Sequence, residues 1–412
     1  MLHHPLSLLF DESESNNKVS AFCTPAAQTQ TRRTFALRSS SLGISSSSLS
    51  SVASPSDNDD KSAVSYDLVV IGGGSAGLTA AKFASTFGKS AVIIERIHLG
   101  GDCTWRGCVP SKTLLASAKV AHAVRTASKY GVSVPSFVVD MKAVHQRVKQ
   151  TIQEIYNKDD SIEVMKRLGI DTIIGNAQFV SPSQLLVTEG NGKVTVLVHA
   201  KSGVLVATGA TAARPTEEQI KGISSIKYFT YEEIFDLDKL PPKLTIVGGG
   251  PIGCELAQAF SRLGCSVTMV ATKLIPTMEP EASQALENIF LKEGITIVKG
   301  RLTKVIADGA QNGGYISSST GANDSESTSA NDSESKPTNH IAICKDGQGK
   351  DLSITGNVLL VALGRKPDVH GLKLDEFGVK LNSKGGIQVN DKLCTNIQGI
   401  YAAGDCTGDK QL

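Results

Sequence analysis

Asp67-Leu-Val-Val-Ile-Gly72-Gly-Gly-Ser-Ala-Gly77 is the stretch on which the fold turns. Its apolar run, bounded by glycines, reads as a strand buried on both faces of a parallel sheet. The glycines make a tight turn, and Leu78 to Phe87 reads as a helix of small residues packed closely on the sheet. Gly72 permits the sharp turn, Gly74 lets backbone amides approach a pyrophosphate, and Gly77 lets helix and strand come together. The phosphate charge then meets the helix N-terminus. A second strand, Ser90 to Glu95, ends in an acid that can accept hydrogen bonds from both hydroxyls of an adenosine ribose.

The same pattern returns after Pro241-Pro242. Leu244-Thr-Ile-Val247 is followed by Gly248-Gly-Gly-Pro-Ile-Gly253 and a helix from Cys254, with Gly248, Gly250 and Gly253 in the three glycine roles. Two copies, each between a strand and a helix, imply two nucleotide-binding domains in series. The second copy differs where nucleotide choice is made. Its second strand, Ser266 to Val270, ends in Ala271-Thr-Lys273 and lacks the ribose-binding acid. Lys273 instead offers a positive charge for a 2′-phosphate, which favours NADPH over NADH.

Working outward, the 412 residues suit two or three domains. With 42 basic and 40 acidic residues there is no concentrated basic face to demand nucleic acid or an anionic membrane. No apolar run reaches the about 18 residues that crossing a bilayer requires. Residues 1–64 differ from the rest, because the first 56 hold 15 Ser together with Lys18, Arg32, Arg33 and Arg38. That composition reads as an organelle transit peptide, of plastid type by its length and Ser content, with a mitochondrion as the alternative. Between 140 and 168, Val144, Val148, Ile152 and Ile155 follow a helical period, and short strands are expected from Thr172 to Val206. Residues 311–339 are rich in Ser, Asn, Asp and Gly and repeat Ala-Asn-Asp-Ser-Glu-Ser at Ala322 and Ala330, so they read as a low-complexity loop between strands.

Eight cysteines are too sparse for a disulfide-stapled scaffold. Cys23 belongs to the leader, and Cys254, Cys265, Cys344, Cys394 and Cys406 read as unrelated structural residues. Leu99-Gly-Gly-Asp-Cys103-Thr-Trp-Arg-Gly-Cys108-Val-Pro-Ser-Lys112 is different. In an ideal helix, residues five apart have Cα atoms roughly 8–9 Å apart, beyond the ~4.4–6.8 Å of a disulfide. The pair closes only if the helix start is distorted, and Gly100, Gly101 and Gly107 allow that. A disulfide formed there would be strained and reducible, and a thiolate at a helix N-terminus is favoured electrostatically. The spacing does not fit the common zinc clusters, so no metal site is expected.

With these motifs in place, and with Val206-Ala-Thr-Gly-Ala210, Ala362-Leu-Gly-Arg-Lys-Pro367 and Ile400-Tyr-Ala-Ala-Gly-Asp405, the sequence from Tyr66 onward resembles the class I pyridine nucleotide-disulfide oxidoreductases. This is the flavoenzyme family of glutathione reductase, dihydrolipoyl dehydrogenase and mercuric reductase. The resemblance implies an α/β fold of two Rossmann-like domains, with the FAD domain (65–215 and 364–412) split around an NAD(P) domain (216–363). It implies FAD at the first glycine turn, with Glu95 on its ribose and Asp405 on its ribityl chain. Gly101, Thr208, Gly209 and Gly364 line the cofactor path, and NADP, less readily NAD, takes the second turn. Cys108 would face the flavin and Cys103 would meet the substrate, with Lys112 beside the flavin and Glu255 as its ion-pair partner.

The implied reaction carries a hydride from NADPH through FAD to the cysteine pair, and on to a disulfide or a thiol-bound metal. The Ala271-Thr-Lys273 ending is closer to mercuric reductase than to NAD-linked lipoamide enzymes, while Trp105 and Arg106 mark a subgroup of unnamed substrate. Relatives continue for roughly a hundred residues into a dimerisation domain bearing a His and Glu dyad. The sequence stops at Leu412, so neither the homodimer nor the dyad's acid-base step is expected of this polypeptide. Two alternatives stay open: a truncated, non-catalytic FAD- and nucleotide-binding protein, and a dihydrolipoyl dehydrogenase-like enzyme using NAD.

Overall fold

A computed structural model describes residues 63–190, 192–308 and 338–408. The expected leader, apart from Ala63 and Val64, lies outside the described residues, and strand order already begins at Val64. The low-complexity stretch also lies outside them, except that Thr338 and Asn339 are buried rather than part of a surface loop.

Strand β1 (Val64–Ile71) buries Val69, Val70 and Ile71 completely or nearly so, as a strand covered on both faces must. Helix α1 (Ser75–Thr86) and strand β2 (Ala91–Glu95) complete the first unit. Two helices then follow, α2 (Gly101–Trp105) and α3 (Cys108–Thr126). The single distorted helix expected for the cysteine motif is therefore two helices, broken at Arg106 and Gly107. Helix α4 (Met141–Ile155) starts where the Asp140 side chain accepts from the Ala143 amide, and α5 (Ile162–Arg167) where Ser161 accepts from Val164.

Strands β3 (Ile170–Ile174), β4 (Asn176–Ser181), β5 (Gln184–Thr188) and β6 (Val194–Val206) close the sheet. The last is 13 residues long, not short. Sheet order is β3-β2-β1-β6-β5-β4, parallel from β3 to β6 and antiparallel beyond. After β7 (Ala210–Ala212) the chain leaves this sheet.

The second sheet contains β8 (Lys243–Val247), β9 (Ser266–Val270), β10 (Thr296–Val298) and, later in the chain, a fourth strand. Helix α6 (Pro251–Leu263) follows β8, with Pro251 at its first turn and Gly264 capping it at φ 112°, while α7 (Pro280–Lys292) follows β9. Strands β11 (Gly300–Ala307), β12 (His340–Asp346) and β13 (Asp351–Gly356) form an antiparallel meander, in which Ala307 pairs with His340. The fourth strand, β14 (Val358–Val361), completes a parallel order of β10-β9-β8-β14. The chain then returns through β15 (Arg365–Pro367), antiparallel to β7, and adds β16 (Ile400–Ala402) beside β6 in the first sheet.

One apolar core joins the cysteine-bearing helix to the second sheet. Leu114, Ala118 and Ala121 of α3 pack with Leu256, Phe260 and Leu263 of α6 and with Leu244 and Ile246 of β8. Burying a side chain such as Phe260, fully inaccessible here, contributes about 2–3 kcal/mol. This packing brings α3 alongside the helix that opens at the second glycine turn. Of the cysteines read as structural, Cys254, Cys265, Cys344 and Cys406 are buried, whereas Cys394 is partly exposed.

Candidate active site

The two glycine turns share one geometry. Gly72 has φ 101° and Gly248 φ 117°, and a Cβ on either would sit 2.4 or 2.2 Å from the carbonyl oxygen of Ala207 or Ala362. On Gly77 or Gly253 it would sit 2.0 or 2.4 Å from the Gly72 or Gly248 oxygen. The protein itself therefore requires the first and third glycines. The middle ones differ. A Cβ on Gly250 would meet nothing within 4 Å, and one on Gly74 would meet only Gly101 Cα at 3.7 Å. Open space at the head of α1 and α6, next to free amide groups, fits the pyrophosphate of a dinucleotide at each turn.

Glu95 closes β2 beside the first turn, where one carboxylate oxygen accepts from the Gly73 amide at 2.7 Å and the other from Ile97 at 2.8 Å. Each oxygen keeps a lone pair for a ribose hydroxyl. Thr208 and Gly209 follow β6, and Gly364 follows β14. The β7 and β15 pairing brings these segments together, with the Asp368 amide on the Gly209 carbonyl at 3.0 Å and the Ala213 amide on the Gly364 carbonyl at 2.9 Å. The Thr208 hydroxyl donates to the Asp368 carbonyl.

The cysteine helices sit on the first turn. Gly101 has φ 57°, and a Cβ there would come within 2.6 Å of Gly74 Cα, so only glycine lets α2 rest on this backbone. The break at Gly107 turns the chain back, and the Cys103 thiol comes near enough to Cys108 to feel it. Burial, followed by the neighbouring Cys108 thiol, pushes the Cys103 thiol up to about 11, against the opposing pull of the Ser75 hydroxyl and the Cys108 backbone. Cys108 is exposed at the first position of α3.

One turn along α3, Lys112 Nζ meets both carboxylate oxygens of Glu255 on α6, at 2.7 and 2.8 Å. A residue two positions past the second glycine turn is thus tied to one four positions past Cys108. Lys273 lies beyond β9, its carbonyl folded against Gly249, and lines a cavity of about 230 Å³ with Thr272, Gln284, Glu287 and Lys299. Lys299 pairs with Glu287 at 2.8 Å, a second cation in this cavity that the sequence reading missed.

A further group was missed. Arg365 spreads its guanidinium between Asp102, which precedes Cys103, and Asp405, whose Oδ2 lies 2.8 Å from Nη1. Tyr231 donates to Asp102 at 3.0 Å, and its ring lies 5.1 Å beneath the guanidinium. Burial, and then the Asp102 charge, raise the Tyr231 phenol well above its ordinary range, so it stays a donor. Arg365 belongs to the quoted Ala362 to Pro367 motif, and Asp102 directly precedes Cys103. Only the fold joins the two across 263 positions.

Comparison with known proteins bears on this geometry. A family model described as pyridine nucleotide-disulphide oxidoreductase matches residues 66–412. The chain belongs to the class I pyridine nucleotide-disulfide oxidoreductase family. Its members are flavoenzymes that use FAD and a pyridine nucleotide and act on small-molecule or thiol and disulfide substrates. A dihydrolipoyl dehydrogenase of Bacillus subtilis (strain 168) is 32% identical over 349 residues, 84% of this chain and 68% of that protein. The mercuric reductase of Streptomyces lividans is 34% identical over 345 residues, 83% of this chain and 65% of that one. The mitochondrial dihydrolipoyl dehydrogenase of Pisum sativum is 32% identical over 383 residues, 91% and 68% of the two chains. The chain thus spans about two thirds of these oxidoreductases, and 50% of the mercuric reductase of Bacillus cereus.

In fold, the chain is similar to the Cu(II) complex of the HOCl-induced flavoprotein disulfide reductase RclA from Escherichia coli. The TM-score is 0.67 at 24% identity, over 84% of this chain and 67% of that one. The α/β class with Rossmann-type units expected from the sequence is the one found. Among the described residues, no helix is long and apolar enough to cross a membrane.

Proposed function

We propose that this oxidoreductase takes reducing equivalents from NADPH, stores them on Cys103 and Cys108, and passes them to a disulfide or a thiol-bound metal in the manner of mercuric reductase. The observation that carries this reading is the seating of the cysteine helices on the first glycine turn, with Gly101 against Gly74 and the Cys103 thiol within the influence of Cys108. When bound, FAD accepts a hydride from the reduced nicotinamide and supplies two electrons to the cysteine disulfide. Glu95 and Gly74 would hold its adenosine half, and Asp405, fixed by Arg365, the linking chain. Lys112 would supply a positive charge to the ring, where negative charge develops on reduction. Its pairing with Glu255 fixes it at the seam between the two glycine turns. Cys103, on giving up its thiol proton, attacks one sulfur of an oxidised disulfide and expels the other, which takes up a proton; Cys108 likewise loses its proton and attacks the mixed disulfide, restoring the protein disulfide and releasing the second thiol.

Two features support NADPH over NADH: the missing acid after β9, and the presence of Lys273, beside the Lys299–Glu287 ion pair, in one cavity. The sheets support a division into FAD segments at 65–215 and 364–412 around a nucleotide domain at 216–363. The length and Ser-rich composition of residues 1–64 support delivery to a chloroplast, which import of a fluorescent fusion into isolated plastids tests.

The test of the main reading is anaerobic NADPH titration of the full chain reconstituted with FAD, following long-wavelength thiolate-to-flavin absorbance. The wild type should develop that band and Cys108→Ser should not. Bleaching of the flavin without the band in the wild type would overturn the relay.

A further inference from the structure

Helix α2 carries Cys103 but has only five residues, far too few to hold a helical shape or a position alone. Its place is set by what grips it. Cys108 stands at the head of the 19-residue α3, whose apolar face is buried against α6. The relation between the two thiols therefore depends on the ties to α2.

Two of those ties come from one unusual element. Tyr156–Asp160 is a π-helical turn that continues α4. Such turns hydrogen-bond from i to i+5 and occur mostly as single turns, often at functional sites. Its last residue, Asp160, accepts a hydrogen bond from the buried Thr104 hydroxyl at 2.7 Å. The same carboxylate lies over the start of α2, where a Cβ on Gly100 would come within 3.2 Å of it. Its first residue, Tyr156, packs its ring 5.1 Å from that of Trp105, which has His98 on another side at 5.0 Å and donates its indole N–H to the Leu99 carbonyl at 2.7 Å. Lys82 of α1 steadies the turn by donating to the Asp159 carbonyl at 3.0 Å. Thr104 and Trp105 directly follow Cys103, so this turn holds the chain one and two residues from the thiol.

We propose that the turn Tyr156–Asp160 is a positioning element for the cysteine pair, which holds Cys103 against Cys108 and so sets how readily the two thiols close to a disulfide. The inference rests on the redox reading of that pair. Ring closure is favoured by the effective concentration of one thiol at the other, and a group held in place by packing and a charge-assisted hydrogen bond has a higher one than a group on a loose segment. Loosening α2 therefore weakens the disulfide relative to the dithiol. Closure is balanced by glutathione disulfide: the two cysteine thiols lose two electrons and two protons, and two glutathione thiols form.

The experiment equilibrates the full chain with a series of glutathione redox buffers under argon, quenches with a mass-tagging alkylating agent, and reads Cys103 and Cys108 by peptide mass. No bound cofactor or turnover is needed. Asp160→Ala, Tyr156→Ala and the smaller Thr104→Val, which removes only the hydroxyl, should each lower the closure constant about tenfold, a potential about 30 mV less negative. Asp160→Asn keeps an acceptor and Tyr156→Phe keeps the ring, and both should stay within about twofold of the wild type. Unchanged constants in Thr104→Val and in the folded alanine variants would overturn the proposal. So would a shift in the emission of Trp105, the only tryptophan, with no shift in the constant, since the tie would then be structural alone. Failure of the wild-type pair to close at any ratio would instead overturn the redox reading, and the proposal with it.

Discussion

Lys112 on α3 and Glu255 on α6 meet through both carboxylate oxygens, at 2.7 and 2.8 Å, joining the helix that carries Cys108 to the helix that opens at the second glycine turn. Their side chains are 62% and 42% exposed, so the pair adds no more than about 1 kcal/mol to stability. Its value is in placing a charge. Glu255→Gln should leave the melting temperature almost unchanged while slowing NADPH-dependent flavin reduction about tenfold in stopped flow, and Lys112→Met should slow it about a hundredfold. A large loss of stability with normal reduction rates would reverse this assignment.

What could be read from the residues alone follows from how local each cause is. The two strand, glycine-turn and helix units were legible because Gly72 and Gly248 each stand within five residues of the other glycines of their own motif, and because Val69 to Ile71 are wholly apolar and Leu244 to Val247 carry Thr245 as their one polar residue. The cysteine pair was legible as chemistry but not as structure. The break between α2 and α3 depends on Gly107, at φ −125° and ψ −104°, and a Cβ there would press within 3.0 Å of the Asp102 oxygen. Nothing in the spacing selects that break over a bent helix. Lys112 and Glu255 could be matched only by resemblance, since packing of Leu114 and Ala118 on Phe260 is what brings them together. Arg365 with Asp102 and Asp405, Lys299 with Glu287, and Tyr156 with Trp105 were illegible, because each is a contact between residues far apart in sequence.

The glycines divide into two kinds, and alanine separates them. Gly74 and Gly250 have ordinary φ values of −81° and −70°, so Gly74→Ala and Gly250→Ala should fold with melting temperatures near the wild type. Their new methyl groups occupy the space left for a pyrophosphate. Gly74→Ala should therefore purify without FAD, and Gly250→Ala should keep FAD but lose nucleotide affinity by calorimetry. Gly72→Ala and Gly248→Ala add a left-handed φ to a carbonyl clash and should lose more than about 2 kcal/mol in urea unfolding.

Arg365 serves two carboxylates at once, and a lysine cannot. The fork places Nη1 on Asp405 and Nη2 on Asp102. Arg365→Met leaves both acids facing each other across a half-buried site and should cost about 3 kcal/mol by denaturant unfolding. Arg365→Lys should recover part of that. Asp102→Asn in the Arg365→Met background should recover part as well, because one of the stranded charges is gone. If the double variant is less stable than the sum of the single losses, the network is not arranged as described.

Burial, and then the Cys108 thiol, push the Cys103 thiol from its ordinary 9.0 up to about 11 in the folded protein. Between those two pH values the folded state holds a proton that the unfolded state has released, so Cys103 contributes stability that is whole below pH 9 and declines as pH rises towards 11. The buried Cys344 and Cys406 thiols are also raised to about 11 and Cys265 to about 12, so the whole chain should soften in this range. Comparing Cys103→Ser with the wild type isolates one share of the slope: the variant should lose less stability between pH 8 and pH 10.5 in urea unfolding. Reactivity gives the same answer by another route, because only the thiolate is alkylated. With flavin absent and the pair reduced, iodoacetamide labelling of the Cys103 peptide should rise about tenfold per pH unit up to pH ~10 and bend over near 11. Labelling that levels off near pH 8 would mean that the helix N-terminus and the Ser75 hydroxyl outweigh burial at this sulfur.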